Sequence, residues 1–120
     1  MIYLACPYTH ADPAIRRQRF DDVNRLAARL VVEGELVFSP ISHSHAITEA
    51  GAPMDWEFWQ RFDLWMLARC DSLLVYCLDG WDVSVGVRAE VQAAKAAGKP
   101  VRFHLPEMED RIRRLEEARG

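Results

Sequence analysis

Along the chain, short apolar runs alternate with longer stretches of helical spacing. Ile2 to Cys6 is an apolar run ended by Pro7, which predicts a buried strand. Asp12-Pro13 reads as a helix start, with Asp as N-cap and Pro at the first helical position. Phe20, Val23, Ala27, Leu30 and Val31 then recur at helical spacing until Gly34, a natural residue just past a helix end. Glu35 to Ser39 predicts a second strand, stopped by Pro40. From Ile41 to Pro53 the chain mixes Ser, His, Gly and Pro without period, which predicts a loop of functional or mobile character. A second helix is expected from about Asp55 to Cys70, and Ser72 to Cys77 is the clearest buried strand. After a turn at Asp79–Asp82, a helix is expected from about Ser84 to Ala97, ended by Gly98-Lys99-Pro100. Val101–His104 completes the strands, and Glu107 to Ala118 predicts a charged terminal helix with a solvated face.

This alternation predicts an α/β fold: a flavodoxin- or Rossmann-like three-layer domain whose parallel sheet has about four or five strands. With 120 residues, half of them hydrophobic, the chain is expected to form a single domain over 1–120 with its own core. Ligands in such sheets bind beyond the carboxyl ends of the strands. That rule gathers Cys6–His10, Ser39–His45 and Leu78–Ser84 around one crevice.

The net charge of −3 and the lack of a basic face argue against a nucleic-acid polymer as partner and favour a small molecule. Cys6, Cys70 and Cys77 are odd in number and lack CxxC spacing, so reduced thiols in the cytoplasm are expected. The first apolar run is too short for a secretory signal or a membrane span, so no membrane association is expected.

Two acids fall on apolar faces. Trp56, Trp59, Asp63, Met66 and Cys70 share one helical stripe, and Val87, Glu90, Ala94 and Ala97 share another. A carboxylate buried without a partner costs several kcal/mol unless its pKa rises, which makes Asp63 and Glu90 candidates for acid, base or nucleophile. The plainer alternative pairs them with Arg61, Arg69 or Arg88, or leaves them at a solvent edge.

Other features carry two readings each. Ser84 caps the helix that bears Glu90, and with Gly86 it also offers an anion-friendly helix start. His43 and His45 alternate after a strand, so both are expected to point the same way, toward a base, a phosphate or a metal. No third ligand lies near them, and no metal or cofactor is expected. Cys6 lacks the nearby cation of a thiolate phosphatase and reads as a small strand residue. Trp56, Trp59 and Trp65 on one helix exceed what one face buries, leaving some for base stacking or a subunit interface.

Taken together, Ile2-Tyr3-Leu4-Ala5-Cys6-Pro7-Tyr8, Asp63-Leu64-Trp65 through Asp71, and Ser84-Val85-Gly86-Val87-Arg88-Ala89-Glu90 resemble the nucleoside 2-deoxyribosyltransferase superfamily. That superfamily includes the deoxynucleoside 5′-monophosphate N-glycosidases. Phe38-Ser39-Pro40, Ser42-x-Ser44-His45 and Gly80-Trp81 narrow the resemblance to its DUF1937-like branch in bacteria and phages. The resemblance runs from Ile2 to about His104. It implies Glu90 as nucleophile, Asp63 as second catalytic carboxylate and Tyr3 as the hydrogen-bond donor to the nucleophile. Ser84 falls where transferases carry an aspartate for the 5′-hydroxyl and hydrolases a serine for the 5′-phosphate. Pro7, Tyr8, His43, His45, Trp81 and Gly86 complete the expected substrate contacts. Two departures stand out: Pro7-Tyr8-Thr9-His10 replaces the hydrolases' phosphate loop, and Leu105–Gly120 has no clear counterpart to the transferases' C-terminal segment, which a neighbouring subunit completes. The expected activity is cleavage or transfer at a nucleoside or nucleotide N-glycosidic bond by a homodimer or higher homo-oligomer. The alternatives are a nucleotide-binding module that has lost the reaction and a metal-dependent hydrolase centred on His43 and His45.

Overall fold

A computed structural model describes residues 1–119; Gly120, the last residue of the expected domain, lies outside the described residues. Four strands, β1 (Ile2–Ala5), β2 (Val37–Phe38), β3 (Ser72–Tyr76) and β4 (Val101–His104), form one sheet in the order β2-β1-β3-β4. Every pairing is parallel, with Ile2 opposite Val37 and Ser72, and Leu73 opposite Val101. Five α-helices accompany them: α1 (Pro13–Val32), α2 (Pro40–Glu49), α3 (Trp56–Arg69), α4 (Val85–Ala96) and α5 (Pro106–Arg119). This is the three-layer α/β arrangement that the alternation predicts.

The period of two along each strand divides the core into two layers. Tyr3, Ala5, Leu73 and Val75 face Leu67 and Cys70 of α3 and Val87 and Ala94 of α4. Ile2, Leu4, Leu74 and Tyr76 face Val23 and Leu26 of α1. Because β1 and β3 are central, covered on both faces, they read as unbroken apolar runs. The chain leaves β1 for β2 on one side and returns to β3 on the other. The carboxyl ends of β1 and β3 therefore border the switch point where such sheets open.

Helix ends follow the local chemistry. Asp12 accepts from the Ala14 N–H at the head of α1, Asp55 from Phe58 N–H at α3, and Ser84 from Val87 N–H at α4. Gly34, in the left-handed region, follows α1 as the spacing predicts. Lys99 Nζ donates to the carbonyls of Leu67, Ala68 and Cys70 at 2.9, 2.8 and 2.5 Å, placing a cation on the C-terminal end of α3.

Three expectations are corrected. The segment expected as a loop from Ile41 to Pro53 contains α2, with Ser39 as N-cap accepting from Ser42 N–H and Pro40 in the first turn. Its buried face carries Ser44 and His45, so no apolar period marks it. The second strand shrinks to Val37–Phe38, because it pairs only with β1 and Ser39 already caps α2. The terminal helix does not simply lie in solvent: Glu109 is 1% exposed. Arg29 of α1 donates to it through Nε at 2.6 Å and Nη2 at 2.5 Å, and His104 Nε2 lies 2.9 Å away.

Burial by itself would raise the Glu109 carboxyl, but hydrogen bonds from Arg29 and His104 outweigh it and hold the group below the usual glutamate range. Its stabilising contribution is therefore complete at neutral pH and is lost as pH falls through that depressed value. Glu109→Gln is expected to lower stability by about 3 kcal/mol at pH 7, since it takes the buried anion from a largely buried guanidinium and leaves it only the exposed Glu33. The difference between variant and wild type in urea unfolding should shrink toward pH 3.

Candidate active site

Tyr3 projects from β1 into the layer beneath α3 and α4, where it is fully buried. Its hydroxyl donates a short hydrogen bond to Glu90 Oε2. Glu90 sits in the second turn of α4 and is 4% exposed; Asp63 of α3 is 8% exposed, and its Oδ1 has no hydrogen-bond partner. Neither carboxyl has an ion-pair partner among the described residues. Arg61, Arg69 and Arg88 are exposed, and Arg69 instead lies over the Trp65 ring, so the pairing expected as the plainer alternative is not made.

Both acids line one crevice together with Cys6, Tyr8, Thr9, Ile41, Ser44, Thr48, Met54, Trp56, Trp59, Ser84 and Gly86. Burial pushes the Asp63 carboxyl up to about 7. Burial also raises Glu90, the Tyr3 hydrogen bond opposes this, and the Asp63 charge adds to it, for a net value of about 8. Near neutral pH the pair therefore holds a proton between two acids that cannot comfortably both ionise. Tyr3 is itself raised, first by burial and then by the Glu90 charge, and stays a neutral donor.

The crevice has two unlike walls. The first turn of α4, headed by Ser84, supplies backbone N–H groups and a favourable dipole. The opposite wall, from α2, α3 and the segment between them, is apolar and aromatic through Ile41, Met54, Trp56 and Trp59. Gly86 joins the walls: a Cβ there would lie 3.1 Å from Trp56 Cε3. Its lack of a side chain thus lets the Trp56 ring pack against α4. A second, more open depression shares Thr9, Trp56, Ser84 and Gly86 and adds Pro7, His10, Arg19 and Asp79. Arg19 donates to the carbonyls of Tyr8, Thr9 and Asp79 at 3.3, 3.2 and 2.8 Å and ties the two rim segments together.

A model for a domain of unknown function, DUF1937, matches residues 1–105. The chain belongs to that family. No curated protein matches the chain.

Of the residues expected to act, Tyr3, Asp63, Glu90, Ser84, Gly86 and Tyr8 meet at the crevice, and Pro7 borders the adjoining depression. His43, His45 and Trp81 do not line it. Because α2 is a helix, the two histidines do not point the same way. His43 stacks on Phe62 at 5.0 Å and His45 on Phe20 at 4.0 Å. Among the described residues no cluster of three His, Cys, Asp or Glu side chains is placed to hold a metal. Trp81 packs on Phe103, 5.4 Å between ring centroids, at the β4 side of the sheet. Thr48 and Met54 are crevice residues that sequence reasoning missed, whereas Ile41 falls in the Ser39–His45 segment expected at the crevice. The Ser39-Pro40 cap signal was the available clue to the helix that presents Ile41 and Thr48.

Raised carboxyls bind more protons folded than unfolded between pH 4 and pH 8, so they lower stability as pH rises through that window. Glu90→Gln is expected to raise stability at pH 8 by about 3 kcal/mol and to leave it nearly unchanged at pH 4. Urea unfolding of variant and wild type at both pH values checks the sign.

Proposed function

We propose that this protein cleaves or transfers the N-glycosidic bond of a nucleoside or nucleoside 5′-monophosphate, with Glu90 as nucleophile. The observation that carries the reading is the Tyr3–Glu90 hydrogen bond at a crevice that also holds a second, unpaired carboxyl. The likeness of these residues to the nucleoside 2-deoxyribosyltransferase superfamily points the same way.

Bond breaking leaves an oxocarbenium-like sugar, which an anionic carboxylate beside C1′ stabilises. The Glu90 carboxylate bonds to C1′ as the C1′–N bond breaks, and the departing nitrogen takes the proton from Asp63. Water, giving a proton back to Asp63, then releases the sugar in hydrolysis; a second base does so in transfer. In the free pair Glu90 is the more strongly raised acid. It is the developing cation of the bound sugar, helped by the Tyr3 hydrogen bond, that favours the anion at Glu90 and leaves the shared proton to Asp63, which has no donor. The aromatic wall suits a flat base, and the α4 start suits the 5′ end of the sugar.

Self-association belongs to the same proposal. Phe58, Phe62 and Trp65 are 52%, 38% and 53% exposed on one helix, an apolar surface of the kind that contacts between subunits cover. No helix among the described residues is long and apolar enough to cross a membrane. The specific observation favouring a non-catalytic binding module instead would be nucleotide binding without base release.

Free-base release from ribo- and deoxynucleosides and their 5′-monophosphates, with and without an acceptor base, tests the reading. Wild type should release base, and Glu90→Ala should lose about 10³-fold or more. Activity should follow a bell, falling below about 7 as the pair gains its second proton and above about 8 as it loses both. Asp63→Asn should lower the rate about 10²-fold or more and remove the alkaline limb. Full turnover by Glu90→Ala would sink the proposal.

A further inference from the structure

Tyr8, just beyond β1, is 8% exposed, and its hydroxyl lies 2.7 Å from His45 Nδ1. On the far side of the same ring, His45 Nε2 lies 2.5 Å from Glu49 Oε1, a close but bent contact that leaves Nε2 without a well-aligned partner. A nitrogen lone pair this close to a carboxylate oxygen is less favourable than an N–H even off axis, so Nε2 carries the hydrogen. In the neutral ring Nδ1 must then accept, and the Tyr8 hydroxyl hydrogen is spent on it. The Thr48 hydroxyl hydrogen is spent as well, on the His45 carbonyl at 2.7 Å. Tyr8 Oη and Thr48 Oγ1 lie 3.4 Å apart, too far for a strong bond between them. Both residues line the crevice as well as the opening beside it, and neither hydroxyl has a hydrogen left to give a ligand.

We propose that Tyr8 and Thr48 form an acceptor pair that recognises an exocyclic amino group on the substrate's base, an inference that rests on the nucleoside reading above. Two acceptors 3.4 Å apart can each take one hydrogen of an –NH2 group, with both hydrogen bonds bent inward. A carbonyl oxygen in the same place would face two more acceptors and bind poorly. The surrounding wall of Ile41, Met54 and Trp59 is apolar and fits a flat heterocycle. His45 and Glu49 do not line the crevice; they border the neighbouring opening, which shares Tyr8, Thr48 and Met54 with it, and act through Tyr8 as positioning residues.

The test is calorimetric binding, at pH 8, of adenine against hypoxanthine and of cytosine against uracil. These pairs differ by amino against keto and have no glycosidic bond to cut. Wild type should prefer the amino member by roughly tenfold. Tyr8→Phe and Thr48→Val should each reduce the preference to within about threefold. Glu49→Gln can donate to Nε2, which moves the ring hydrogen to Nδ1 and frees the Tyr8 hydrogen for the ligand. It should therefore shift preference toward the keto bases, a change that loss of structure would not produce. Equal affinities in wild type, binding of none of the four, or an amino preference that survives Tyr8→Phe would overturn the inference. Base release from the matching nucleosides is measured in parallel. Amino-selective binding without release would leave this inference standing while removing the glycosyl-transfer reading.

Discussion

Two buried carboxyl groups line one crevice that has no cation in its lining, and the Tyr3 hydroxyl reaches one of them. The Tyr3–Glu90 hydrogen bond decides how that space is arranged. Tyr3 is fixed by its place in the central strand, with neighbours on both sides and helices above and below. Glu90 is fixed by a helix whose start is capped by Ser84 and whose first turn is held against Trp56 by the gap at Gly86. The bond therefore ties the sheet to α4, and the geometry around it is set by elements that have little freedom to move. A site built in this way is preorganised, because strand and helix hold its groups before any ligand arrives.

The same arrangement works against stability. Burying Asp63 and Glu90 without cations raises both carboxyls into the neutral range, where ordinary acids are fully ionised. The contrast with Glu109 is instructive. That carboxyl is at least as buried, yet Arg29 and His104 hold it ionised and make it a tie between α1, β4 and α5. One buried acid is fully partnered and structural. The other two are left poorly partnered at a crevice, and that difference in partners, more than burial itself, separates site from scaffold.

Much of this was legible in the sequence. The strands β1 and β3 are buried on both faces and read as continuous apolar runs, and the caps at Asp12, Asp55 and Ser84 mark helix starts by composition. Asp63 and Glu90 stood out because each interrupts an apolar stripe at helical spacing. What stayed hidden depended on partners distant in the chain. Helix α2 buries Ser44 and His45 rather than a hydrophobic stripe, so its period is invisible to a pattern of apolar positions. His43 and His45 were expected on one side because strand periodicity was carried past Ser39, whereas helical geometry sends them to Phe62 and Phe20. Glu109 looked like one more charge on a solvated helix because its partner Arg29 lies on the first helix.

The central claim is that Glu90 bonds to the sugar carbon. Mass spectrometry of the protein, acid-quenched during turnover and then digested, tests it most directly. The account predicts an added pentosyl mass on the peptide containing Glu90, absent when Glu90→Gln is treated in the same way. Base release by wild type with no sugar adduct, or an adduct mapping to Asp63, would contradict it.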